Sequence, residues 1–388
     1  MRCYFLKISP KPRNIEGTMT KAMKKEQDEQ DKRDTLIYTS YYDIDPDNLD
    51  FLPTGNPYGR YDGGALDIEF KVDQVSLDSY TLASITIYGV DGDVLNQAIS
   101  MEGRVVELRA GMGKGLPLSN PALYGQILSG TVTTGAESWT GPNTSLTLYV
   151  KPFTAESDKE TVDPNKKRIA FTDDTKSKIP KNAFIVNIKK GASIREALIA
   201  CVKPHFKDYK IDFESTIAEN LMADKDFMNY YEKLEDFVYD MGTKGDSLWQ
   251  YYTGLTLRAY AHDKFFTFSD GTSDKDPKQI QFSEMIGQPS WDDKDKIIKF
   301  SCLMRADIHI GDKIKLPLFD ELGKPTDDTV QKLPATKNKS RYSGIFYITA
   351  VNYYGWFRSK EGKDWNVTYT ALPFIIPNLG KDSDKKDS

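Results

Sequence analysis

The sequence predicts a mainly β protein with an α/β segment in its middle. Three observations lead there. Tyrosine and phenylalanine are abundant, 22 and 19 of 388 residues, and aromatic side chains fit the half-buried surface of a sheet. Short runs on both sides of the middle, such as Leu66–Val72 (LDIEFKV), alternate apolar and polar residues, which gives a strand one buried and one wet face. Helical spacing with a recognisable start appears only after residue 183, where Ser193 stands three residues before Glu196 as in a capping box.

The first 34 residues form a charged N-terminal arm, in which Lys21–Asp34 is almost wholly charged or amide and reads as a solvated helix or an unfolded arm. Residues 35–153 carry strands at Leu36–Tyr42, Leu66–Val72, Ala83–Gly89, Val105–Gly111, Gln126–Val132 and Ser145–Val150, with a short helix within Asp91–Glu102. Short strands spaced this closely point to a small closed or nearly closed barrel. Residues 154–182 are a polar linker or long surface loop.

The α/β segment, 183–283, opens with a strand at Ala183–Ile188. Its first helix starts at Ser193, buries Ile194, Leu198, Cys201 and Val202 on one face and stops at Pro204. A second helical run is expected over Ser215–Met241, from the stripe Ile217, Leu221, Met228, Tyr231, Leu234 and Val238, with Gly242 as its stop. Leu255–Ala261 and Lys264–Phe268 read as a hairpin.

In 284–377 the turn Gly287-Gln288-Pro289 leads to Trp291 and a strand at Ile297–Leu303. A second short strand is expected through Ile308, Ile310 and Ile314, broken by a Gly311-Asp312 turn. Phe319–Lys339 is a polar loop, and Ser343–Tyr354 pairs with Trp365–Ala371. Residues 378–388 form a charged flexible tail. The arm before Thr35 and the tail after Gly380 hold too few apolar residues to offset the entropy of ordering them, so both are expected to be dispensable for folding.

Composition narrows the function. The net charge of −5 opposes specific affinity for DNA or an anionic membrane. No run approaches the roughly 20 apolar residues of a membrane span, and the apolar patch within Met1–Lys7 is too short for a secretory leader, so synthesis in the cytoplasm is expected. Cys3, Cys201 and Cys302 are few and far apart, which gives neither a disulfide framework nor a zinc site.

No catalytic motif emerges, and no catalytic, cofactor or metal residue is assigned. Gly111-Met112-Gly113-Lys114-Gly115 has the glycines of a phosphate loop, but Gly115 stands where Ser or Thr is needed and Pro117 follows. Asp45–Asp50 starts like a calcium loop but has Asp50 at the glycine position, and Asp91-Gly92-Asp93 also fails. His205, His262 and His309 lack metal-ligand spacing. Glu232, Glu235, Asp236 and Asp240 are the only candidates for a glycosidase-type acid and base, and on so acidic a helix they read as a wet face. A structural or interaction protein is therefore expected. In the turn Gly111–Pro121, Met112, Leu116 and Leu118 have no helical or strand face. They either fold back onto their own barrel or form an interface with an adjacent subunit or ring.

Three segments, in order, resemble the Mu-like baseplate hub family of contractile phage tails. They are MEGRVVELRAGMGKGLPLSNP with its continuation to Val132, EMIGQPSWDDKDKIIKFSCLMRADIHIGDKIKLP over Glu284–Pro317, and the closing hairpin over Tyr342–Ala371. The resemblance implies two hub-type β-barrels per chain and a homotrimer forming a pseudo-hexameric ring. It also implies a central spike protein, a tail tube or tube initiator protein and a tape measure protein as partners. DNA would pass through the lumen without specific binding, and the chain would reside in the virion baseplate without membrane insertion. A bacterial contractile injection system hub and a tail-associated peptidoglycan hydrolase are the alternatives.

Overall fold

A computed structural model describes residues 2–11, 21–40, 44–45, 50–51, 64–77, 82–112, 123–152, 183–207, 209–262, 265–317 and 344–374. Its strands in chain order are β1 (Arg2–Ser9), β2 (Leu36–Thr39), the short pair β3 (Ile44–Asp45) and β4 (Asp50–Phe51), β5 (Asp67–Gln74), β6 (Ala83–Tyr88), β7 (Val105–Met112), β8 (Gly125–Thr140) and β9 (Asn143–Pro152). After these come β10 (Phe184–Ile188), β11 (Lys210–Glu214), β12 (Phe227–Tyr231), β13 (Arg258–His262), β14 (Phe265–Ser269) and β15 (Lys278–Gln279). The last five are β16 (Ser290–Asp292), β17 (Ile297–Leu303), β18 (Lys313–Lys315), β19 (Ile345–Trp356) and β20 (Trp365–Pro373). Helices are few: α1 (Lys21–Asp34), α2 (Gly92–Leu95), α3 (Ile194–Val202), α4 (Leu234–Val238) and α5 (Leu248–Thr253).

Thirteen strands form one curled, almost wholly antiparallel sheet in the order β16-β17-β20-β19-β5-β6-β9-β8-β7-β1-β2, with β18 also beside β19 and β15 beside β18. Strict alternation decides which face is buried: in β6 Ala83, Ile85 and Ile87 face the core, and in β20 Trp365, Val367, Tyr369 and Ala371 do. The strands expected in 35–153 and in 284–377 thus share one sheet and one core, joined where Val351–Trp356 of β19 pairs with Glu69–Gln74 of β5. Among the described residues no strand pairing separates them into two closed barrels.

Three sequence expectations are corrected. The arm 1–34 begins with a buried strand: β1 pairs with β7 over eight residues and with β2 on its other side, and Cys3, Tyr4, Phe5 and Leu6 are wholly buried. Burial on both faces gives a continuous apolar run without alternation, so the strand lacks a period-two signature. The remainder of the arm that is described is α1, whose last carbonyl, that of Asp34, accepts from Arg104 Nη1 at 2.8 Å.

The helix expected over Ser215–Met241 is instead mostly β12, α4 and a π-turn at Tyr239–Thr243. Aromatic-rich FMNYY pairs antiparallel with β10, Phe184 opposite Tyr231, so tertiary pairing overrides a coincidental helical spacing. The strand expected through Ile308, Ile310 and Ile314 survives only as β18. Ile308 and Ile310 are buried outside any strand because the chain is turned back there, the His309 backbone N–H donating to Asp312 Oδ2 at 2.7 Å.

The middle segment has its own core, built on Phe184, Leu198, Phe237, Trp249, Phe266 and Phe268. α3 follows its sequence signals: Ser193 Oγ accepts from the Glu196 backbone N–H at 3.3 Å, and Ile194, Leu198, Cys201 and Val202 are buried. The hairpin of β13 and β14 is present, and β11 adds in parallel beside β14. This unit is tied to the large sheet where the Leu77 N–H donates to the Ala259 carbonyl at 2.8 Å, and where Lys151 meets Glu235 at 3.6 Å.

Candidate functional site

The glycine-rich turn is where the sequence leaves open either an interface or a fold-back onto the chain's own barrel, and the structure shows what holds its base. β7 runs to Met112, and β8 begins at Gly125. Met112 is 9% exposed and belongs to the core of its own chain, whereas Leu116 and Leu118 lie outside the described residues.

Three remote stretches meet at this base. The indole N–H of Trp365 donates to the Gly111 carbonyl at 2.9 Å in a buried hydrogen bond. On the returning limb, the Ala306 N–H donates to the Leu123 carbonyl at 2.8 Å. The limbs touch directly, since a Cβ on Gly111 would come within 2.7 Å of Tyr124 Cα, a space only glycine leaves.

Each clamp is itself fixed. Phe70 packs edge-on against Trp365 with ring centroids 5.3 Å apart, and the Arg2 guanidinium lies over the same indole at 5.9 Å. Arg2 Nη1 also donates to the Trp356 and Ser359 carbonyls, at 2.6 and 2.7 Å, so the N-terminal strand braces the closing hairpin. Beside Ala306, Arg305 is 4% exposed. Its Nε and Nη2 grip both oxygens of Asp307 at 2.7 and 2.8 Å, and Nη1 meets Glu284 at 2.7 Å. Burial opposes the guanidinium charge, but the Asp307 hydrogen bonds and the charges of Asp307 and Glu284 outweigh it and raise its pKa. A bidentate Arg–carboxylate pair is planar and directional, so it fixes the backbone that carries Ala306.

Gly111 lies in a strand, so the first glycine of the phosphate-loop candidate does not precede a helix. Asp45 and Asp50 stand opposite one another in the β3–β4 pair. Asp91 caps α2, its Oδ1 accepting from the Asp93 N–H at 2.6 Å. No group of three His, Cys, Asp or Glu side chains able to hold a metal occurs among the described residues. His205 packs against Phe184 with ring centroids 4.1 Å apart and the rings tilted by 31°.

The four carboxylates weighed as acid and base do not share a helix. Glu232 precedes α4, Glu235 and Asp236 lie in its first turn, and Asp240 sits in the π-turn accepting from the Tyr231 hydroxyl. Glu235 is paired with Lys151. Sequence reasoning marked the Trp365 and Arg305 stretches but not their target. The partners are separated by too much chain for any periodicity to reveal.

No family model matches the chain, and no curated protein matches it. Among solved structures it is similar to a component of the E. coli type VI secretion system, itself described as similar to bacteriophage T4 tail proteins. That match has 12% identity and a TM-score of 0.45, over 80% of this chain and 74% of that one. It is also similar to a tail protein from Neisseria meningitidis, at 10% identity and TM-score 0.43 over 81% of this chain and 93% of that one. A third is the 43 kDa tail protein of prophage MuSo2 from Shewanella oneidensis, at 7% identity and TM-score 0.42 over 80% of this chain and 98% of that one.

Proposed function

We propose that this chain is the structural baseplate hub of a contractile phage tail. Three copies would form a ring that joins the tail tube and tape measure protein to the central spike and leaves a channel for DNA. Each copy would contribute two barrel-like halves, from 35–153 and 284–377, drawn from the shared sheet.

One observation carries the reading. The three segments that resemble the hub family converge on one point, where Gly111 of the first meets Trp365 of the third while Ala306 of the second holds Leu123. Turn and strand motifs that resemble a family only by chance have no reason to meet in space. The turn they brace carries Leu116 and Leu118, whose burial would be completed by an adjacent subunit. Closed cyclic symmetry is the usual outcome for an assembly of identical chains.

The test is the mass and shape of the purified protein, alone and mixed with a spike protein encoded beside it. Light scattering at the trimer mass, with rings in negative stain, is the expected result. A stable dimer, or a monomer under both conditions, would overturn the reading.

A further inference from the structure

The two most exposed large apolar side chains among the described residues are Ile99, 82% exposed, and Trp139, 77% exposed. Both border the same feature. β8 is flanked by β7 as far as Thr131, and the chain continues beside it through the Gly103 N–H to Val132 carbonyl bond at 2.8 Å. The 3-10 turn Ala98–Met101 then covers Gly135, whose Cα faces the Ala98 carbonyl. Beyond that, Ala136–Thr140 pairs with β9 on one side and with no described strand on the other.

The register says which backbone groups this leaves open. Thr140 and Asn143 close the hairpin around the two residues Gly141-Pro142, so the pairs 140/143, 138/145 and 136/147 are the hydrogen-bonded ones. The N–H and C=O groups of Glu137 and Trp139 then point outward along the open edge. The Trp139 indole N–H donates to the Gly141 carbonyl, which holds the ring at the hairpin tip.

The two stretches that border the edge carry charge of one sign, as far as Arg104, which is turned to the Asp34 carbonyl. Residues 89–103 and 133–147 contain Asp91, Asp93, Glu102 and Glu137 and no lysine or arginine, and all four carboxylates are exposed. The Gly89 N–H to Thr144 carbonyl bond, at 2.8 Å, brings the first stretch to the hairpin tip. Lys11 lies over Gly103, the residue of that stretch farthest along the chain from the tip contact.

We propose that the open edge of β8 at Glu137–Trp139 is a strand-addition site for an extended segment of a partner protein. Glu137 and Trp139 are two residues apart and project from one face of β8, so the segment would carry a lysine or arginine and an aliphatic residue two positions apart, on the face that meets them. Main-chain bonds to the open groups supply the docking, and Ile99 and Trp139 receive the aliphatic side chains. The acidic rim selects the basic ones. This site is separate from the braced turn and stands whether or not the chain forms a ring.

The experiment uses the full chain and short fluorescein-labelled peptides repeating lysine–threonine–valine–threonine, the same with glutamate in place of lysine, or the first with every peptide nitrogen methylated. Fluorescence anisotropy should show saturable binding of the lysine–valine peptide and none of the other two, because glutamate meets the acidic rim and methylation removes every N–H that strand pairing needs. Ile99→Ser with Trp139→Ala should weaken binding about tenfold or more without moving the melting temperature, as should Glu137→Lys. Equal binding of the methylated peptide, or unchanged binding by the double variant, would overturn the proposal. So would a self-associated chain that the double variant dissociates, since a second copy would then occupy the edge.

Discussion

The Tyr260 ring fills the space where a side chain on Gly311 would stand. Gly311 has φ +92°, a conformation that favours glycine, and Tyr260 reaches it from the middle unit, where its hydroxyl donates to Glu214 Oε2 at 3.3 Å. This contact joins the two cores, because Tyr260 belongs by sequence to the middle unit and by packing to the large sheet. Gly311→Ala is therefore expected to cost at least about 1–3 kcal/mol, from backbone strain and displacement of the ring together. Urea unfolding measures it, and an unchanged midpoint would mean that Tyr260 moves aside freely.

Trp365→Phe keeps most of the packing against Phe70 but removes the donor to the Gly111 carbonyl. A buried acceptor left without its donor costs about 1–3 kcal/mol. Amide exchange should accelerate first around Gly111 and Tyr124, ahead of the remainder of β7. Uniform acceleration over the sheet would show that the bond does not brace the turn locally.

Burial pushes the Cys201 and Cys302 thiols up to about 12 from an ordinary 9.0. The folded pKa values are raised, so the unfolded chain loses these protons first. The stabilising contribution is complete below pH 9 and disappears as pH rises from 9 through 12. Melting temperatures should fall across that window, and less steeply in a Cys201→Ala/Cys302→Ala variant. A thiol reagent at pH 8 should label neither residue until denaturant is added, and rapid labelling of the native chain would contradict their burial.

Deleting residues 1–10 should abolish the cooperative melt rather than leave it unchanged. The deletion removes the full register of β1 with β7 and the Arg2 bonds to the closing hairpin. Circular dichroism on the truncated chain checks this, and a native-like transition would show that β7 and β2 can close without β1.

Leu116→Ser with Leu118→Ser separates the remaining readings of the turn. The expected result is an isolated chain that melts normally and a tail that fails to assemble. A loss of several kcal/mol in the isolated chain, the usual scale for core truncations, would return both leucines to the chain's own core.

What could be read from the sequence follows from local physics. Strands with one wet face, such as Ala83–Tyr88 and Ile297–Leu303, declared themselves by alternation, and α3 declared itself through the Ser193 cap. Arg2–Ser9 did not, because burial on both faces erases the period. Phe227–Tyr231 has helical spacing yet forms a strand, because its fate depends on Phe184–Ile188, a partner some forty residues earlier. Met112 was one of three turn residues by sequence and belongs to the core because β7 extends one residue further than expected. The bracing of Gly111 by Trp365 lies beyond any local pattern, since the two are 254 residues apart.

The pairing of β5 with β19 sets a timetable for synthesis. Asp73 leaves the ribosome 279 residues before Asn352, with which it shares a side-chain hydrogen bond. At about 5–20 residues per second, β5 waits roughly a quarter of a minute to a minute for its neighbour. During that interval its Ile68, Phe70 and Val72 face a half-built sheet with an unpaired border. The nascent chain is then most open to strand-mediated aggregation, until the emergence of β19 closes the gap.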